Sequence, residues 1–101
     1  MSTSTTTTNE TYYSTPGEIL DEEFLKPLGI SRYRLSKAIG VSETAIGEIV
    51  NGKRRITTPM AWKLGKAFGT TPDFWANLQT DYDLLTFDPS ALGDIRPLVD
   101  A

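Results

Sequence analysis

Nine of the ten Lys and Arg residues stand between positions 26 and 68, namely Lys26, Arg32, Arg34, Lys37, Lys53, Arg54, Arg55, Lys63 and Lys66. That window holds only two acids, Glu43 and Glu48, and the rest of the 101-residue chain sets Arg96 against eleven. A formal net charge of −3 therefore hides a central +7 between acidic flanks of −10. Ammonium and guanidinium groups gathered in this way are the chemistry of phosphate binding. Other chemistries are short of parts. The chain has no histidine and no cysteine, which removes the usual general base, the thiolate and the commonest transition-metal ligands. A Ser or Thr nucleophile would lack a histidine to activate it. Asp81, Asp83, Asp88 and Asp94 are acids that could hold a hard cation, but their scatter reads as solvated surface. No enzyme, cofactor or small-molecule substrate is expected.

The elements that must position the cations are two short helical patterns in Ser31–Arg55, SRYRLSKAIGVSETAIGEIVNGKRR. Each begins at a serine suited to N-capping, Ser31 and Ser42, and ends at Gly40 or Asn51-Gly52. Leu35, Ala38 and Ile39 share one face of the first; Ala45, Ile46, Ile49 and Val50 share one face of the second. Helices this short, joined by Gly40-Val41-Ser42, must cross steeply, as in a helix-turn-helix. The second helix then enters a major groove N-terminus first. Glu43 and Thr44, with Gly47 and Glu48 one turn on, are the candidates for base edges. Arg32, Arg34, Lys37, Ser42, Lys53, Arg54 and Arg55 are the candidates for phosphates. Thr44 can donate to an acceptor or meet a thymine methyl, and a glutamate can accept from cytosine N4. Near phosphates a glutamate can instead pair with a cation such as Lys37 or Lys53. Gly47 fits either close approach to DNA or tight packing on another helix.

Around this unit the sequence reads as one all-α domain. Residues 1–14 form a Thr-rich polar arm, with Tyr12 and Tyr13 available to anchor its end. A first helix starts at Thr15-Pro16-Gly17-Glu18, a capping box with proline at the first position, and its core face is Leu20, Phe24 and Leu28. Pro27 is placed to end or kink it. Thr58-Pro59 starts a fourth helix with Met60, Ala61, Leu64, Ala67 and Phe68 buried and Trp62 off that stripe. Thr71-Pro72 opens a fifth, on which Phe74, Trp75, Leu78, Tyr82 and Leu85 occupy one arc. Trp75, Leu78, Tyr82 and Leu85 are either core or the seam of a homodimer, with Leu84 as a further contact. The domain is expected over 15–87, and 88–101 as an extended tail. No apolar run reaches membrane-spanning length, and the start lacks a signal-peptide pattern, so the expected location is the cytoplasm, without membrane contact.

The run Leu35–Arg54 resembles the repressor-type (lambda repressor-like, XRE) helix-turn-helix. Pro16-Gly17-Glu18-Ile19-Leu20, Glu22-Glu23-Phe24-Leu25, Pro27-Leu28-Gly29 and Phe68-Gly69-Thr70-Thr71-Pro72-Asp73-Phe74-Trp75-Ala76-Asn77-Leu78-Gln79 are similar to the HigA antitoxins over about residues 15–85. The resemblance implies a five-helix bundle and a homodimer that binds a palindromic operator in its own promoter. It also implies neutralisation of a HigB-type endoribonuclease toxin. The acids at 10, 18, 21, 22 and 23 are then a docking face for that basic partner. A stand-alone repressor of the same fold and a protein–protein adaptor that no longer sees DNA remain the alternatives.

Overall fold

A computed structural model describes residues 13–99. Five helices, and no strand, make up the described chain, followed by a short 3-10 turn. The first, α1 (16–28), starts as the sequence dictates. The Thr15 hydroxyl accepts from the Glu18 N–H at 3.1 Å, and the Thr15 N–H donates to the Glu18 carboxylate at 2.8 Å. Its middle, Leu20–Leu25, is π-helical. The Lys26 N–H donates to the Asp21 carbonyl five residues back, and Pro27 has no N–H with which to restore the four-residue ladder.

That widened turn corrects the expected core face. Five-residue spacing buries both Leu20 and Leu25, while Leu28 turns out to solvent, 59% exposed. Gly29, with φ 66°, closes the helix in the left-handed region.

The next helices are α2 (Arg32–Ile39) and α3 (Glu43–Val50). The Ser31 and Ser42 hydroxyls accept from the N–H groups of Arg34 and Ala45, each at 3.0 Å. Gly40 takes φ 71° between them, and the Val41 N–H returns to the Ser36 carbonyl. Leu35, Ala45, Ile46, Ile49 and Val50 are buried as the periodicity required. Ala38 is exposed at the edge of the arc.

The fourth helix, α4 (Thr58–Phe68), is capped by Thr57, one residue earlier than Thr58, and its hydroxyl accepts from the Met60 N–H at 3.3 Å. Met60, Ala61 and Leu64 are core. Ala67 is exposed, and Trp62 is 54% exposed, off the stripe as its position implied.

The fifth helix, α5 (Pro72–Thr86), lies along α4 in the most extensive helix pairing of the chain. Its Trp75 is fully buried. The indole N–H donates to the Thr70 hydroxyl at 2.8 Å, which satisfies the one polar atom that burial would orphan. Phe24, Phe68 and Phe74 surround it with ring centroids at 4.8, 6.0 and 5.0 Å. Each such pair contributes roughly 0.5–1.5 kcal/mol beyond the area it buries.

The fifth-helix stripe divides. Leu78 packs against the core and Tyr82 is half-buried, but Leu85 is 57% exposed and Leu84 74%. No part of α4 extends beyond Thr58 to cover them. After Phe87 the chain is not wholly extended, because Pro89–Leu92 forms a 3-10 turn capped by Asp88. Tyr13 is half-buried and Ser14 exposed; Tyr12 and the other residues of 1–12 in the Thr-rich arm lie outside the described residues.

One contact holds the start of α1 against the end of α3. A Cβ at Gly17 would stand 1.7 Å from the Ile49 carbonyl oxygen, so no larger residue fits without separating the two helices. No helix among the described residues is long and apolar enough to cross a membrane.

Candidate nucleic-acid interface

The inner face of α3 is committed to the core through Ala45, Ile46, Ile49 and Val50. Its outer face therefore has to present Glu43, Thr44, Gly47 and Glu48. Glu43 and Thr44 are exposed at the capped N-terminus, and Gly47 and Glu48 are half-buried one turn on. The Ser42 hydroxyl is occupied as an acceptor by the cap, which leaves its own proton to donate outward.

Two arginines flank this face. Arg32 lies over it from α2, its Nη1 3.5 Å from where a Cβ of Gly47 would be. That is ordinary van der Waals contact with a flexible side chain, so packing against another helix is not the reason for a glycine at 47. Arg54 donates through Nε and Nη2 to one Glu48 oxygen, at 2.8 and 2.6 Å. Glu48 thus pairs with Arg54 rather than Lys37 or Lys53, and its carboxylate braces a cation at the rim of the helix.

Arg34, Lys37 and Lys53 are exposed, and among the described residues they and Arg32 make no ion pair. Lys37 lies 5.3 Å from the ring centre of Tyr33, a cation–π contact that leaves its charge available. Arg55 reaches α5, where its Nη2 donates to Asp83 at 2.6 Å. The same guanidinium holds the Asp83 carboxyl below the usual carboxylate range. Exposed pairs of this kind are worth roughly 0–1 kcal/mol of stability, so their main effect is on where the cations stand.

Four of the residues that hold this site in place were not assigned that work by sequence reasoning. Gly17 and Thr70 stand inside signature runs with nothing local to mark their roles, and Asp83 reads from sequence as solvated surface. Gln79 carried the one legible signal, a polar residue four after Trp75 on the inner side of α5. Among the described residues no group of three or more acids could hold a metal ion.

A short helix with a bare outer face, rimmed by cations and set by a tight turn on a second helix, defines a repressor-type DNA-binding module. The helix-turn-helix family HTH_3 matches residues 22–75. Virulence-associated protein I of Dichelobacter nodosus is 51% identical over 68% of this chain, and the chain spans 64% of that relative's length. An HTH-type transcriptional regulator of Haemophilus influenzae is 52% identical over 80% of both chains. Antitoxin HigA of Pseudomonas aeruginosa, solved with the higBA promoter, superposes with a TM-score of 0.77 at 41% identity, covering 85% of this chain and 98% of that one. The chain belongs to the helix-turn-helix family of DNA-binding regulators and, within it, to the HigA-type antitoxins. Members of that family are regulators, not enzymes.

Proposed function

We propose that this chain represses its own operon by seating α3 in the major groove of a palindromic operator, and that it silences a HigB-type RNA-cleaving toxin. The observation that carries the first half is the outer face of α3, where Glu43 and Thr44 are exposed at the capped end and, one turn on, Arg32 lies against Gly47 and Arg54 pairs with Glu48. Thr44 reads a base edge, and Glu43 accepts from a cytosine amine where one is present. Gly47 lets the backbone approach the base pairs, and Glu48 acts through Arg54. Arg32, Arg34, Lys37, Ser42, Lys53, Arg54 and Arg55 grip the phosphates on either side.

One copy offers few base contacts, so two copies reading half-sites about 34 Å apart are the economical arrangement. Leu84, Leu85 and Phe87, all exposed at the end of α5, are the seam such a homodimer would close. The toxin's basic surface would meet the acids of α1. Lys26 already pairs with Glu22 and Asp21 there, at 2.7 and 3.5 Å. Glu23 makes no ion pair among the described residues, and Glu10 lies outside them.

The test is a footprint and a salt titration on the DNA immediately upstream of the chain's own coding region. Protection of a two-fold site is expected, and log K should fall with log salt at a slope of about −5 per subunit if six cations meet phosphates. Binding that is weak and indifferent to salt would leave only the adaptor reading. A pull-down that returns no small basic ribonuclease beside a normal footprint would leave a stand-alone repressor.

A further inference from the structure

Gln79 shares the inner side of α5 with Trp75 and is only 7% exposed. Its Oε1 accepts from the backbone N–H of Ile56 at 2.7 Å, and its Nε2 donates to Asp83 Oδ1 at 3.0 Å. Asp83 Oδ2 in turn accepts from Arg55 Nη2 at 2.6 Å. Ile56 is itself buried, so water cannot take the place of Gln79 at that N–H. The three bonds make one chain from the main chain of residue 56, through α5, back to the side chain of residue 55.

A side-chain amide can accept at one end and donate to a carboxylate at the other; an ionised Glu lacks the donor, Lys the acceptor, and Leu both. The segment held in this way, between α3 and α4, has no regular secondary structure to fix it. It also carries Lys53 and Arg54. The cleft beside it, about 350 Å³, brings Lys53, Arg54 and Arg55 together with Gln79, Tyr82 and Asp83.

We propose that Gln79 and Asp83 are positioning residues for DNA recognition, holding Arg55 and the segment around it in register with the backbone phosphates beside the groove that α3 enters. This rests on the DNA-reading function proposed above. The pair touches no base, and it acts by ordering the cations before the duplex arrives, so that less side-chain and loop freedom is lost on binding.

Asp83 makes the idea separable from simple electrostatics. Removing a negative charge beside a phosphate-binding rim should, by Coulomb attraction alone, tighten binding to every duplex. Loss of a positioning group does the opposite for the operator, where register matters, and does little for random DNA, where it does not.

The test uses the full chain, a promoter duplex from upstream of its own coding region, and a scrambled duplex of equal length and composition. For Gln79→Met and Asp83→Asn, promoter binding should weaken about tenfold, the scale of one lost hydrogen bond to a charged group. Scrambled-duplex binding should hold or, for Asp83→Asn, rise, so the ratio of the two falls. In an Arg55→Ala background, Asp83→Asn should have no further effect on that ratio. An unchanged ratio, or parallel tightening on both duplexes, overturns the proposal. If the buried Gln79→Met variant fails to melt cooperatively, Asp83→Asn, at a half-exposed site, decides the matter alone. A wild-type chain that does not prefer its promoter duplex removes the DNA-reading function itself, a result distinct from either.

Discussion

The α2–α3 unit and α5 solve the same problem by different means. Within α2–α3 each boundary is decided by a residue no more than five positions away: a serine hydroxyl on the third N–H, a left-handed glycine at Gly40, an apolar arc at helical spacing. On α5 the decisive partners are distant. Trp75 is enclosed by Phe24 and Phe68 as well as its neighbour Phe74, Gln79 answers Ile56, and Asp83 answers Arg55 across 28 positions. The helix α3 can therefore be short, because its caps are local and it packs on its neighbours α2 and α1, whereas α5 is held by groups far away in the chain.

The difference can be broken at the α5 end first. Trp75→Ala should cost about 3–5 kcal/mol, the range for emptying a buried aromatic site, seen as a large fall in the denaturant midpoint with the slope retained. A loss below 1 kcal/mol would mean that the aromatic cluster does not hold α5 in place.

Gly17→Ala tests the contact between α1 and α3. With the Ile49 oxygen in the way, destabilisation of at least about 1–3 kcal/mol is expected. A neutral result by thermal melting would show that the two helices can part freely.

Ser42→Ala, by contrast, removes a purely local device and should cost about 1 kcal/mol. Hydrogen exchange should rise in α3 while the amides around Trp75 keep their protection. Equal loosening of both would erase the distinction between the two regions.

Leu85→Ser tests the far end of α5. Its side chain is exposed in one copy, so the monomer's own stability should change by less than about 0.5 kcal/mol, while sedimentation should shift towards the smaller species. A several-kcal/mol loss in a variant that sediments as the monomer would place Leu85 in the core after all.

The smallest effect is that of acid. Arg55 and Gln79 hold the Asp83 carboxyl below its ordinary 3.8. The unfolded chain therefore takes up that proton first as pH falls. The contribution is fully present above about pH 4 and is lost as pH drops through the lowered folded value. Because the site is half-exposed, solvent screening keeps the contribution small. Asp83→Asn should flatten the acid limb of the stability curve relative to wild type, and superimposable curves would disconnect Asp83 from Arg55.

Much of this architecture is legible in the chain itself. Thr15 and Glu18 name a capping box, Ser31 and Ser42 name two helix starts, and Gly29, Gly40 and Gly69 name three stops, because capping and left-handed glycines are chemistry between near neighbours. The charge segregation that gathers the cations on and around α2–α3 is equally a property of the sequence.

What the sequence could not hold was anything that depends on which distant group arrives. Periodicity of 3.6 residues put Leu28 inside, and a π turn ahead of Pro27 put Leu25 there in its place. A regular arc on α5 ran from Trp75 to Leu85, yet the core reaches only its first half. Glu48 reads from sequence as a base-edge candidate or a partner for Lys37 or Lys53, and Asp83 as solvated surface, yet folding sets each against a different arginine of one short segment. Helix starts, stops and the outer face of α3 were therefore determined locally. Burial, ion-pair choice and the placing of the cations were decided by tertiary structure, because they are settled by distances between residues far apart in the chain.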